Sequence, residues 1–308
     1  MRENIVLEFW DRSKFLTVKN KDYLVCVKKM INGQLKEDIG NGDITTNSLI
    51  KEGKKIKASV ISKQDGIVAG IEEAFLFGLN IKKIKIDGSK ANKGDVILKI
   101  YDDAKKILAY ERTLLNIMQR MSGIATAAYN IKKIIGNRCF IAGTRKTPFG
   151  MLDKKALSVG GALTHRLNLE DSILVKDNHI KLLGNDIRKA LFLADNNKNA
   201  KYVEIEVKNE NEALEAANVI NKLKTKKLFA IMFDNMDASI IKSTINKINN
   251  SIINANHNKN NKKIILFEAS GGINEKNILE YSKTGVDVIS LGSLTHSAKA
   301  LDISLEII

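Results

Sequence analysis

Ile173-Leu174-Val175-Lys176-Asp177-Asn178-His179, a helical segment near 184–195, then Val203-Glu204-Ile205-Glu206-Val207 form the stretch that decides the fold. Its two runs are short, apolar or alternating, and rich in β-branched residues, so they read as strands around a helix. Alternation at this spacing marks a parallel sheet with crossover helices. The pattern continues on both sides. Strand-like runs lie at 140–142, 229–233, 264–267 and 288–291, and helical segments near 210–223, 237–247 and 275–283. The expected fold class is α/β, an open, incomplete barrel of six or seven strands rather than eight.

Strand carboxyl ends are where parallel α/β proteins place their chemistry. Arg145 and Lys146 follow the run 140–142, and Lys176 follows 173–175. Glu204 and Glu206 are two apart and therefore share one strand face. The run 229–233 leads into Asp234-Asn235, and 264–267 into Glu268-Ala269-Ser270-Gly271-Gly272. The last run leads into Gly292-Ser293, with His296 close behind. Successive strand ends furnished in this way predict an enzyme active site at one barrel mouth. Arginine forks and lysine charges suit a small di-acid. The carboxylates could bind ribose hydroxyls or a Mg²⁺–diphosphate, and the glycine turns could close backbone N–H groups on a phosphate. Together these parts suggest phosphoribosyl transfer, although aldolase- or isomerase-type barrels use similar ones.

The chain before residue 138 has another character. Residues 1–36 read as mostly helical, and Asn41-Gly42 marks a turn after which Asp43 or Thr45 can cap a helix. Residues 55–70 read as a hairpin, Ile56, Ala58 and Val60 lying against Ile67 and Val68 across Asp65-Gly66. A short helix at 71–79 and strands at 81–86 and 96–100 complete an antiparallel sheet with flanking helices. Residues 103–135 form one long helical stretch, with Ile107, Leu114, Leu115, Met118 and Met121 at helical spacing and Arg112 beside that stripe. The stretch 249–263, rich in Asn and Lys, reads as a polar loop or helix tail containing His257. His179 is expected to serve as a structural hydrogen-bonder.

Composition narrows the class. A chain of 308 residues has room for two domains. No apolar stretch approaches membrane-spanning length, and the N-terminus lacks a signal-peptide core, so a cytoplasmic protein is expected. Cys26 and Cys139 form no metal-ligand spacing and read as reduced thiols. The net charge of +15 is spread over scattered lysine pairs, so it reads as steering for an acidic small molecule. A basic RNA- or anion-binding protein is the non-catalytic alternative, and steep salt dependence of oligonucleotide binding would reveal it.

With these residues in view, the sequence resembles the quinolinate phosphoribosyltransferase family. The segments that carry the resemblance are Glu37 to Thr46, Glu111-Arg-Thr-Leu-Leu-Asn116, Gln119 to Thr126, Thr144-Arg-Lys-Thr147 and His165-Arg166. Further ones are Lys176-Asp-Asn-His179, Val203 to Val207, Ile231 to Asn235, Glu268 to Ile273 and Gly285 to Leu301. The resemblance implies transfer of phosphoribosyl from phosphoribosyl diphosphate to quinolinate, with decarboxylation to nicotinate mononucleotide in NAD synthesis. It implies an N-terminal α/β sandwich over residues 1–125, joined by the segment 297–308, and a barrel of about seven strands over 126–296. It also implies Mg²⁺ as cofactor and a homodimer or hexamer in which Arg112 reaches the partner's site. Arg112, Arg145, His165, Arg166 and Lys176 would bind quinolinate, and Lys146, Glu206 and Asp234 would be catalytic. Lys146, Lys176, Glu206, Asp234, Ser270, Gly271, Gly272, Gly292 and His296 would bind phosphoribosyl diphosphate. Glu206 and Asp234 would hold Mg²⁺ through water.

The sequence departs from the family pattern at Gly143, at Thr147-Pro-Phe-Gly150, and at Ala162 and Thr164 in the segment before His165. The cations persist, so the chemistry is expected to persist. A related barrel group, the ModD-like proteins, shares most motifs, and another aromatic acid is the alternative substrate.

Overall fold

In a computed structural model the chain is described over residues 1–255 and 263–308. The strands are β1 Lys55–Ser62, β2 Gly66–Ile67, β3 Ile81–Lys83, β4 Lys90–Ala91, β5 Val96–Asp103, β6 Phe140–Gly143, β7 Ile173–Val175, β8 Tyr202–Val207, β9 Leu228–Asp234, β10 Ile265–Ser270, β11 Val288–Leu291 and β12 Ile303–Ile307. They form a parallel sheet in the order β6-β11-β10-β9-β8-β7, an antiparallel sheet in the order β12-β1-β5-β3, and the pair β2-β4. Two compact units interleave along the chain. One comprises Met1–Asp11, Ile131–Arg145 and His165–Gly292; the other comprises Arg12–Asn130, Lys146–Thr164 and Ser293–Ile308.

In the first unit the two faces of the parallel sheet differ. Val203, Ile205 and Val207 alternate with Glu204 and Glu206 along β8, so one face is apolar and the other carries acids. The apolar side continues in β9 through Phe229, Ile231 and Phe233, all buried. The helices Ile187–Asn196 and Glu210–Lys222 pack on this sheet and on one another. Each fully buried aliphatic side chain here contributes about 1.5–3 kcal/mol. Among the described residues the edge strands β6 and β7 each have a single neighbour, so the sheet is open there, as expected. Six strands pair among the described residues, not seven.

The first helix, Arg2–Trp10, belongs to this unit rather than to an N-terminal sandwich. It buries Val6, Phe9 and Trp10, and Phe9 meets the Tyr202 ring edge-on at 5.4 Å. Arg2 holds Asp287 by two hydrogen bonds of 2.6 and 2.7 Å. The polar stretch begins as the end of the helix Ala238–Ala255; its residues 256–262, His257 included, lie outside the described residues.

In the second unit the expected 55–70 hairpin does not form. Both edges of β1 are occupied, one by β5 and one by β12, and β2 pairs with β4 instead. These partners are distant in sequence, and a local turn signal cannot announce them. The long helical stretch is one helix, Ala104–Ile135, with Met118 and Met121 fully buried as core. Gly123 on this helix faces the carbonyl of Lys299, where an added Cβ would stand 2.1 Å from the oxygen. Only glycine permits that approach of the C-terminal segment, whose Leu301 N–H then donates to Gln119 O. Among the described residues no helix is long and apolar enough to cross a membrane.

Candidate active site

The carboxyl ends of β6 to β11 gather most of the expected residues. Register explains how. Glu204 lies opposite Ala230 and Glu206 opposite Met232, while Glu268 lies opposite Met232 and Ser270 opposite Asp234. Glu204, Glu206, Asp234, Glu268 and Ser270 therefore share the face away from the helices. Leu174 pairs with Glu204, so Lys176, two residues on, comes beside Glu206. Its Nζ lies 3.0 Å from Glu206 Oε1. Burial raises the Glu206 carboxyl above its ordinary range, and Lys176 opposes that rise.

Cations gather beside these acids. Burial and the neighbouring charge of Arg145 lower the Arg166 guanidinium's pKa. Arg166 is nearly buried and donates through Nη1 to Ser172 O at 3.0 Å, whereas Arg145 is exposed. Two like charges held close in this way form a site prepared for an anion.

His165 sits deeper. Its φ of +55° is left-handed, a conformation rare outside glycine. Its Nε2 lies 3.0 Å from Glu268 Oε2 and 3.4 Å from Glu204 Oε2, and its Nδ1 accepts the Arg166 N–H at 2.8 Å. Burial disfavours charging the ring, whereas Glu268 and Glu204, were both ionised, would pull its pKa up. Burial, with the charge of Glu268, pushes Glu204 up to about 8. The two protonations compete, because a second ring proton would set an Nδ1–H against the Arg166 N–H. The hydrogen bonds favour a neutral imidazole protonated at Nε2, with the carboxyl proton on Glu204. The same contacts oppose a cation at this triad, although its ligand atoms lie within 4.8 Å of one another. A metal on Nε2 would move the ring proton to Nδ1.

The glycine turn after β10 is built for close approach. Gly271 and Gly272 have φ of +88° and +66°. A Cβ on Gly271 would lie 2.8 Å from the Asn235 nitrogen. Asn235 N donates to Ser270 O at 2.8 Å, tying the ends of β9 and β10. Gly292 follows β11 at the same edge of the sheet. At the end of β7, His179 Nδ1 accepts the Lys176 N–H at 2.9 Å, which gives it the structural role expected of it. Lys208, 2.6 Å away, lowers the Asp177 carboxyl to about 2.

Arg112, Lys146 and His296 belong to the other unit. Arg112 is exposed on the long helix, 4.0 Å from Glu111. Lys146 is exposed in a braced loop. Its carbonyl accepts from Thr295 Oγ1 at 2.7 Å, and Thr147 donates to buried Asp153. Asp153 also takes both prongs of Arg120 at 2.8 and 2.7 Å, and Arg120 lies 4.8 Å over the Phe149 ring. His296 is exposed, with Nδ1 2.6 Å from Ser297 Oγ. Thr164, a departure from the family pattern, is fully buried and accepts the Arg12 N–H at 2.7 Å.

Sequence reasoning gave no role to Glu204, Glu268, Arg120 or Asp153. A signal existed for the first two, since Glu204 shares a strand face with Glu206 and Glu268 sits one turn-motif before Ser270. Arg120 and Asp153 are 33 residues apart and carried none.

Comparison with known proteins agrees with this geometry. Residues 124–306 match the family model "Quinolinate phosphoribosyl transferase, C-terminal domain", and residues 43–122 match its N-terminal counterpart. A "Probable nicotinate-nucleotide pyrophosphorylase (carboxylating)" from Methanocaldococcus jannaschii is 40% identical over 298 residues, covering 94% of this chain and 98% of the relative. A protein of the same description from Methanothermobacter thermautotrophicus is 36% identical over 287 residues, covering 90% and 98%. The crystal structure of nicotinate-nucleotide pyrophosphorylase from Ehrlichia chaffeensis superposes with a TM-score of 0.78 at 32% identity, covering 91% of this chain and 98% of that one.

Proposed function

The chain belongs to the quinolinate phosphoribosyltransferase family, and from that premise we propose that it converts quinolinate and phosphoribosyl diphosphate to nicotinate mononucleotide, diphosphate and CO₂ in NAD biosynthesis. The observation that carries this reading is the meeting of Arg166, Arg145 and Lys176 with Glu206 at one end of the parallel sheet. Cations for a di-acid and a carboxylate for a developing cation stand side by side there.

Arg145, Arg166 and Lys176 grip the two quinolinate carboxylates, and an arriving carboxylate takes Lys176 from Glu206. Glu206 and Asp234 then face the ribose, where they stabilise positive charge as the anomeric carbon loses diphosphate. The quinolinate nitrogen attacks that carbon. The resulting pyridinium stabilises the electron pair left on the ring carbon as the ring–carboxylate bond breaks and CO₂ departs, and that carbon then takes a proton from solvent. Ser270, Gly271, Gly272 and Gly292 present backbone and hydroxyl donors to the 5′-phosphate. The family resemblance assigns His296 to that phosphate and Lys146 to the diphosphate.

The donor set suits Mg²⁺, a hard cation that prefers oxygen ligands and retains much of its water. Glu206 and Asp234 supply only carboxylate oxygens, on adjacent strands, and would hold the ion through water. When bound, Mg²⁺ neutralises charge on the leaving diphosphate. In this reading the protein works in the cytoplasm as a homodimer or a hexamer, and Arg112 serves the partner's site.

A mass-spectrometric assay tests the reading. With Mg²⁺ and phosphoribosyl diphosphate, quinolinate should yield nicotinate mononucleotide and CO₂, while nicotinate should yield none. A folded protein that turns over neither acid would overturn it.

A further inference from the structure

Glu204 and Glu268 project from β8 and β10, on either side of β9, and both reach the same atom of one imidazole. Both are buried, with 1% and 0% of their surface exposed. One carboxylate oxygen of each, Oε1, is buried without a hydrogen-bond partner among the described residues. Acids this deep are costly unless they serve a specific contact. The contact they make is Nε2 of His165, whose other nitrogen accepts the backbone N–H of Arg166. An imidazole offered carboxylates at Nε2 and an N–H at Nδ1 is held in one tautomer and one ring orientation. Arg166 follows directly, and its guanidinium is fixed by Ser172 O at 3.0 Å.

We propose that Glu268 and Glu204 are positioning residues that fix His165 as the Nε2–H tautomer, so that its Nδ1 anchors the Arg166 backbone and aims the guanidinium at the acidic substrate. The left-handed backbone at His165 fits this role, since it turns the ring back onto the next residue's N–H. The proposal rests on the quinolinate reading for its substrate, and its structural half stands independently of that reading.

The structural half is tested without substrate. Long-range ¹H–¹⁵N correlation spectra of the whole protein distinguish the ring nitrogens, and with four histidines assignment by a His165→Gln comparison is direct. The expected pattern for His165 at neutral pH is a protonated Nε2 and an unprotonated Nδ1. An imidazolium, or the opposite tautomer, overturns the proposal. The functional half uses two variants at one position. Glu268→Gln retains an acceptor for Nε2–H and can donate its amide to Glu204, so quinolinate affinity should stay within about threefold of wild type. Glu268→Leu removes the acceptor and should weaken quinolinate binding by roughly tenfold or more, with phosphoribosyl diphosphate binding unchanged. Equal losses for both substrates, or equal effects of Gln and Leu, would mean that the acids only support the fold. Should Glu268→Leu not fold, the same comparison is made with Glu204→Gln and Glu204→Leu, and equal effects of that pair count against the proposal. If the spectra show the expected tautomer and quinolinate fails to bind at all, the substrate reading falls and the anchoring of Arg166 remains.

Discussion

Lys176 Nζ rests 3.0 Å from Glu206 Oε1, so the cation assigned to the acidic substrate is held by the carboxylate assigned to the ribose. The pair joins the two halves of the site before any ligand arrives. Its lysine is nearly half exposed, which limits its worth to the fold. Lys176→Met should therefore change unfolding free energy by less than about 1 kcal/mol. The loss of one charged hydrogen bond to substrate should lower kcat/KM for quinolinate by roughly 10- to 100-fold. Urea titration beside steady-state kinetics gives both numbers, and an unchanged quinolinate KM would remove Lys176 from the site.

Arg112 is solvent-exposed and its nearest ion-pair partner is 4.0 Å away, a weak attachment for a functional arginine. If it serves a second subunit, Arg112→Ala and Lys176→Met should each be strongly impaired alone and complement when refolded together. A random mixture would recover about a quarter of wild-type sites, because half of the dimers are mixed and each has one intact site. No recovery from a mixture shown to exchange subunits would place Arg112 in its own chain's site or in none.

Gly271 combines a left-handed backbone with a Cβ position 2.8 Å from backbone nitrogen. Gly271→Ala should cost about 1–3 kcal/mol of stability and raise the phosphoribosyl diphosphate KM more than that of quinolinate. Thermal denaturation and two-substrate kinetics check this. Equal increases in both KM values would detach the turn from phosphate binding.

Asp153 is fully buried and carries Arg120 and Thr147. Asp153→Ala leaves a partly buried guanidinium without its carboxylate and should destabilise the protein by about 2–4 kcal/mol. Because the brace also holds the loop bearing Lys146, kcat should fall while quinolinate affinity stays near wild type. Calorimetric binding and chemical denaturation would separate the two effects.

A buried acid outside the site should shape the pH dependence of stability. Burial raises the Glu73 carboxyl to about 7, against the 2.6 Å hydrogen bond donated by Tyr23, which lowers it. Between its unfolded value near 4.5 and that folded value, the native state holds a proton that the unfolded state releases. This group therefore lowers stability as pH rises through that window, by an amount on the order of 3 kcal/mol in full. Glu73→Gln should flatten the fall and be relatively more stable above pH 7 than below pH 5. Urea midpoints measured across that range check the sign, and parallel curves would show that Glu73 titrates normally.

Local pattern in the sequence determined the strand–helix alternation from residue 138, the single long helix, and the placement of Arg145, Lys176, Glu206, Asp234 and the glycine turn at strand ends. These depend on periodicity and on order along the chain, which a sequence carries directly. Tertiary structure decided the partners of β1, the attachment of the first helix to the parallel-sheet unit, and the brace between Arg120 and Asp153. It also decided that His165 turns both ring nitrogens into the protein, Nε2 toward acids 39 and 103 residues away and Nδ1 onto the Arg166 N–H. Such contacts form only when separate strands bring their side chains to one point, and no local periodicity encodes which distant residues will meet there.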